Sequence, residues 1–123
     1  MSLDHQQGFT ADQATVVFNT NVIGILRTSR AVLPSMREKH DGLIINVGSI
    51  LDRVTFPFFG IYGASTFAVE ALTDSLRYEV SQLGVDVTLV QPSAYPTNLF
   101  ANVPLPADGA ASRLTEKWAR SPE

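Results

Sequence analysis

A chain of 123 residues suits one small domain, and an apolar content of 45% is too high for a disordered one. A net charge of −3 leaves no basic field, which argues against nucleic-acid binding. Zero cysteines exclude disulfides and thiolate metal sites and suit a reducing, cytoplasmic setting.

Residues 1–9 read as a leader or loop, without the apolar core of a signal peptide. Thr10 and Gln13 have the spacing of a capping box, so a helix is expected to start there. Its apolar stripe, from Ala14 through Val22 and Leu33 to Met36, recurs at three and four residues and predicts one long helix. Gly24 and Pro34 interrupt it, a bend is expected near Pro34, and Gly42 is the expected terminator. The short apolar run Leu43–Val47 suits a parallel strand covered on both faces. An aromatic loop with Phe56, Phe58 and Phe59 follows, these rings being expected in core or interface. A second helix is predicted from Tyr62 to Leu83, stopped by Gly84, and a second strand from Val85 to Val90, stopped by Pro92. The last stretch, with Pro96, Pro104, Pro106 and Pro122, reads as a loop with one weak helix. Helix, strand, helix, strand predicts an α/β fold with a parallel sheet. The domain division is then 1–9 leader, 10–97 α/β unit and 98–123 tail.

Asn21, Ser49, Tyr62 and Thr97 stand out on this outline. Ser49 lies just past the first strand, Tyr62 opens the second helix thirteen residues later, and Thr97 follows the second strand. Ligands of open parallel sheets collect at the carboxyl ends of strands, where the last three would lie. Each has a plainer reading: Ser49 as a turn former, Tyr62 as a packing aromatic, Asn21 as a partner for buried backbone. No apolar run approaches the ~20 residues that cross a bilayer, so no membrane contact is expected. His5 and His40 are too isolated to suggest a metal. Asp52 and Arg53 read as a solvated pair, and Glu70, Asp74 and Glu79 as the wet face of the second helix.

From Phe9 to Thr97 the sequence resembles the short-chain dehydrogenase/reductase family. Asn21-Val22-Ile23-Gly24 is similar to the family's asparagine-bearing helix motif. Ile44 to Ser49 resembles its strand ending in the catalytic serine. Tyr62-Gly63-Ala64-Ser65 resembles the opening of its Tyr-x-x-x-Lys motif, and Pro92 to Thr97 its Pro-Gly-x-x-x-Thr motif. The resemblance implies the second half of a Rossmann-like doubly wound sheet. It implies Asn21, Ser49 and Tyr62 as catalytic residues, Pro92 and Thr97 beside the cofactor, and NAD or NADP as that cofactor. It also implies pairing of two copies through helices 10–40 and 62–83. Two positions depart from the pattern: Thr66 stands at the lysine and Ser93 at the glycine. No Gly-x-Gly-x-x-Gly run occurs and no strand pattern precedes residue 10. The dinucleotide-binding βαβ unit is therefore expected to be missing, the chain to be about half a family member, and cofactor binding by this chain alone to fail.

The chemistry explains the residue types. Carbonyl reduction needs a hydride and a proton. A phenol, ordinarily ionising near ~10, is a poor acid–base at neutral pH unless a cation lies close. A lysine one turn along the helix supplies that cation at ~5 Å, worth ~3 kcal/mol at an effective dielectric of ~20. Thr66 carries no charge, and Arg53 is the nearest cation able to fold back. The expectation is an oxidoreductase-like unit, inactive alone; the alternative is a non-catalytic oligomerisation module.

Overall fold

A computed structural model describes residues 9–56 and 59–93. Helix α1 (Ala11–Phe18) begins at the expected capping box: the Gln13 N–H donates to Thr10 Oγ1 at 3.2 Å, and the Thr10 N–H to Gln13 Oε1 at 3.0 Å. The chain then widens into a π turn over Asn19–Ile23 and resumes as α2 (Gly24–Lys39). The expected single helix is thus interrupted about two turns after its start, and α2 runs through Pro34. Proline forfeits the bond to the carbonyl four residues back. Both Arg30 and Pro34 are exposed, so that carbonyl can turn to water.

The end of α2 also differs from expectation. His40, not Gly42, takes the left-handed conformation (φ 50°). Its N–H donates to the Arg37 carbonyl and that of Asp41 to the Met36 carbonyl, a Schellman closure that satisfies the last carbonyls of the helix. Gly42 instead opens β1 (Gly42–Val47).

A 3-10 turn (Ile50–Asp52) follows β1, then α3 (Gly60–Val80), a second 3-10 turn (Ser81–Leu83), and β2 (Val85–Val90). Gly84, with φ 72°, makes the turn into β2. The strands pair in parallel from Gly42↔Val85 to Val47↔Val90. The fold is α/β, as expected.

The core lies on one face of the sheet. Ile44, Val85 and Val87 pack with Val80 of α3, and Leu33 and Met36 of α2 close over them. Both helical layers therefore share one side. The polar strand residue on that face, Asn46, is buried and donates to Thr73 Oγ1 at 2.9 Å; that hydroxyl donates in turn to the Val69 carbonyl at 2.7 Å. Pairing of this kind is what makes a buried amide tolerable.

The other face is bare among the described residues. Leu43, Ile45, Val47 and Val90 point there, between 47% and 64% exposed. An apolar run on both faces of a strand is the mark of a sheet meant for two covering layers. No helix among the described residues is long and apolar enough to cross a membrane. Thr97, Phe58, residues 1–8 of the leader and the tail 98–123 lie outside the described residues.

Candidate functional site

Ser49 sits where β1 runs out. Its backbone is extended, and it caps the following 3-10 turn by accepting the Leu51 N–H on Oγ at 3.2 Å. Three further bonds tie this turn to the end of β2. Gly48 N–H donates to the Val90 carbonyl (2.8 Å), Ile50 N–H to the Pro92 carbonyl (3.0 Å), and Gln91 Nε2 to Asp52 Oδ2 (3.2 Å). Pro92, expected beside the cofactor, is thus placed next to the serine turn.

Asp52 is not the solvated residue expected from the sequence. It is fully buried, and its carboxylate accepts the Ser49 N–H on both oxygens, at 3.0 and 2.9 Å. Its neighbour Arg53 turns the other way and pairs with Glu70 on α3. The Glu70 side chain is only 15% exposed, so it is not on the wet face either. The reason is shared: the 3-10 turn lies against α3, so alternate residues of the loop point inward to β2 and outward across the helix. Arg53 is consequently committed to Glu70.

Tyr62 occupies the first turn of α3, half-buried. Its carbonyl accepts the Ser65 hydroxyl at 2.7 Å, and Ser65 Oγ accepts Asn21 Nδ2 at 3.1 Å. Ser65, the middle of this relay, is wholly buried. The π turn is the element that presents Asn21; such single turns inside α-helices recur at functional sites. Thr66 is buried, and its hydroxyl donates back to the Gly63 carbonyl at 3.0 Å. It fills the lysine position with a neutral, locally satisfied side chain.

A cavity of about 430 Å³ joins these parts, with Asn21, Thr28, Asn46, Gly48, Tyr62 and Thr66 among its walls. No residue of β2 lines it, so it follows the edge of β1 that β2 leaves free. Asn21 and Tyr62 share it, whereas Ser49 stands just outside, beyond Gly48. None of its lining side chains is charged. A pyrophosphate needs positive charge or a helix N-terminus facing it, and the lining side chains supply no charge. Among the described residues no three His, Asp or Glu side chains gather as a metal site.

Two contributors were not singled out in the sequence. Ser65 lies inside the matched motif, and nothing in periodicity distinguishes a bonding serine from a space-saving one. Asp52 did carry a signal: Ser49 and Asp52 have capping-box spacing, which foretells a carboxylate folded back onto the serine N–H.

The model of the family described as short chain dehydrogenase matches residues 2–107. A 3-ketodihydrosphingosine reductase of Bacteroides thetaiotaomicron is 39% identical over 93 residues, which are 76% of this chain and 35% of that protein. The crystal structure of a short-chain dehydrogenase from Streptomyces avermitilis superimposes with a TM-score of 0.72 at 36% identity, covering 76% of this chain and 35% of that one. A short-chain dehydrogenase from Burkholderia cenocepacia, crystallised with NADP, gives a TM-score of 0.68 at 32% identity over 83% of this chain and 47% of its own. The chain spans about a third of the length of the curated relatives it matches, less than the half expected from its motifs.

Proposed function

The chain belongs to the short-chain dehydrogenase family, and from that premise we propose that it forms the proton-donating portion of an NAD(P)-dependent carbonyl reductase or alcohol dehydrogenase. The observation that carries this reading is the relay from Asn21 through Ser65 to the Tyr62 carbonyl. It fixes the first turn of α3 against the π turn and so holds the phenol at the cavity.

In this reading Tyr62 gives its hydroxyl proton to the substrate oxygen, and Ser49 Oγ orients that oxygen by a hydrogen bond. Asn21 and Ser65 hold the turn that carries Tyr62. The uncharged cavity wall would hold the nicotinamide–ribose end, and NAD or NADP would supply or accept the hydride. Thr66 offers Tyr62 no charge and Arg53 is held by Glu70, so proton transfer at neutral pH lacks its cation. The uncharged walls of the cavity give a pyrophosphate no counter-charge. Both features make the isolated chain a poor catalyst. Zero cysteines accord with a cytoplasmic location.

A second reading, a module that associates with copies of itself, draws on the bare surfaces. Val16, Ile23, Leu26 and Val32 on the first helical stretch and Phe67 on α3 are exposed, as is the outer sheet face. Surfaces of this kind usually mark an interface, and a two-fold contact reuses one patch twice. The two readings are compatible.

The deciding experiment joins this chain to the cofactor-binding portion of the Streptomyces avermitilis dehydrogenase and measures NADPH oxidation with ketones and aldehydes. Turnover should vanish with Tyr62→Phe. Thr66→Lys in the chimera should raise it roughly 100-fold, the rate equivalent of ~3 kcal/mol. Equal turnover with and without the Tyr62 hydroxyl would overturn the assignment.

A further inference from the structure

Asp52 is a wholly buried carboxylate that the mechanism above leaves unused. Among the described residues the two ion pairs are Arg53–Glu70 and Arg77–Asp74, so no cation compensates it. An uncompensated buried charge is retained only where hydrogen bonds satisfy it. Its donors here are the Ser49 N–H, which meets both oxygens, and Gln91 Nε2. A carboxylate is acceptor-only and can face two donors from different strands at once, so Asp52 clasps the end of β1 to the end of β2.

The clasp sits tightly against Ser49 on every side. Gly48 has no side chain because a Cβ there would fall into the Asp52 carboxyl group, with Cγ only 3.0 Å away. Asp52 N–H donates to the Ser49 carbonyl at 3.0 Å. Leu51, between them, brings its carbonyl within 4.0 Å of where a Gly63 Cβ would be, at the residue after Tyr62. The serine turn is therefore gripped by Asp52 on one side and rests on the first turn of α3 on the other.

We propose that Asp52 is a positioning residue for Ser49: its carboxylate, through the Ser49 N–H and the Gln91 side chain, sets the serine hydroxyl relative to Tyr62. The proposal rests on the reading of Ser49 as the group that orients the substrate oxygen, and its test separates the two. The first arm is amide hydrogen exchange of the full chain, followed by NMR. Hydrogen bonds to a charged group contribute ~1.5–3 kcal/mol, or roughly 10–100-fold in an opening equilibrium. Asp52→Ala should accelerate exchange at Ser49 by that factor while Ile44 and Val87 in the core stay within about twofold. Asp52→Asn retains an acceptor, should hold the acceleration under about tenfold, and serves where the alanine variant does not fold. The second arm is kinetics in the chimera: kcat should fall at least ~10-fold in Asp52→Ala with the cofactor KM unchanged, and Asp52→Asn should recover most of it. Unchanged exchange at Ser49, or equal acceleration at Ile44 and Val87, overturns the proposal. Altered Ser49 exchange without Tyr62-dependent turnover leaves Asp52 as the clasp and instead overturns the proposed reaction.

Discussion

Gly84 is the position where one added methyl group should do most damage. Its φ of 72° lies in the left-handed region, which costs an alanine ~1–2 kcal/mol. A Cβ there would also overlap the His40 carbonyl oxygen and lie 2.7 Å from its carbon. His40 is itself left-handed and closes α2, and Gly42, two residues on, pairs with Val85. Neither backbone can retreat without disturbing the first rung of the sheet. Forced overpacking adds ~1–3 kcal/mol, so Gly84→Ala should destabilise by about 2–5 kcal/mol. Gly24→Ala is the internal control. It sits in α2, where an added Cβ meets nothing nearer than the Asn19 carbonyl oxygen at 3.9 Å, so alanine should stabilise by up to ~1 kcal/mol. In a domain this small 1 kcal/mol moves Tm by ~4–8 °C. Circular-dichroism melts should therefore show Gly84→Ala at least ~8 °C below the parent and Gly24→Ala at or above it. Gly84→Asn relieves most of the φ cost but keeps the collision, so it should recover only ~1 kcal/mol. A Gly84→Ala melt within about 2 °C of the parent would refute the reasoning.

Calorimetric titration of the isolated chain with NADH and NADPH should give dissociation constants above ~100 μM, since tighter binding needs more than ~5 kcal/mol from a site whose walls give a pyrophosphate no counter-charge. Thr66→Lys in the isolated chain should restore no turnover above the Tyr62→Phe control, because it supplies the cation and not a Gly-rich phosphate turn; clear NADPH oxidation would contradict this. Sedimentation at micromolar concentration should show an assembly, and Phe67→Glu, at a side chain 41% exposed, should dissociate or unfold it. A stable, folded single chain would count against the self-association reading.

By itself the sequence determined the elements and their order. Apolar spacing placed both strands to within a residue, because a short β-branched run bounded by Gly42 and Gly48, or by Gly84 and Pro92, has few alternatives to a buried strand. The capping box at Thr10 and the stop at Gly84 were readable because each depends on bonds or angles between close neighbours. Asn21, Ser49, Tyr62 and Pro92 stand out in the sequence as a candidate set through their spacing along a known motif, and the structure brings Asn21 and Tyr62 to one cavity. What lay beyond that reach needed contacts distant in sequence. The π turn depends on α3 lying beside it, where Ser65 meets Asn21 across 44 positions. Sequence alone left Arg53 free to answer for the missing lysine, and only the packing of the loop on α3 commits it to Glu70. Asp52 beside Arg53 looked like a surface pair because adjacent opposite charges usually are one. Its burial came from Gln91, 39 positions away, and from the room that Gly48 leaves. Sequence spacing reports which face of an element is apolar. Which polar group ends beneath that face is decided by the neighbouring element that closes over it, and only the tertiary structure supplies that neighbour.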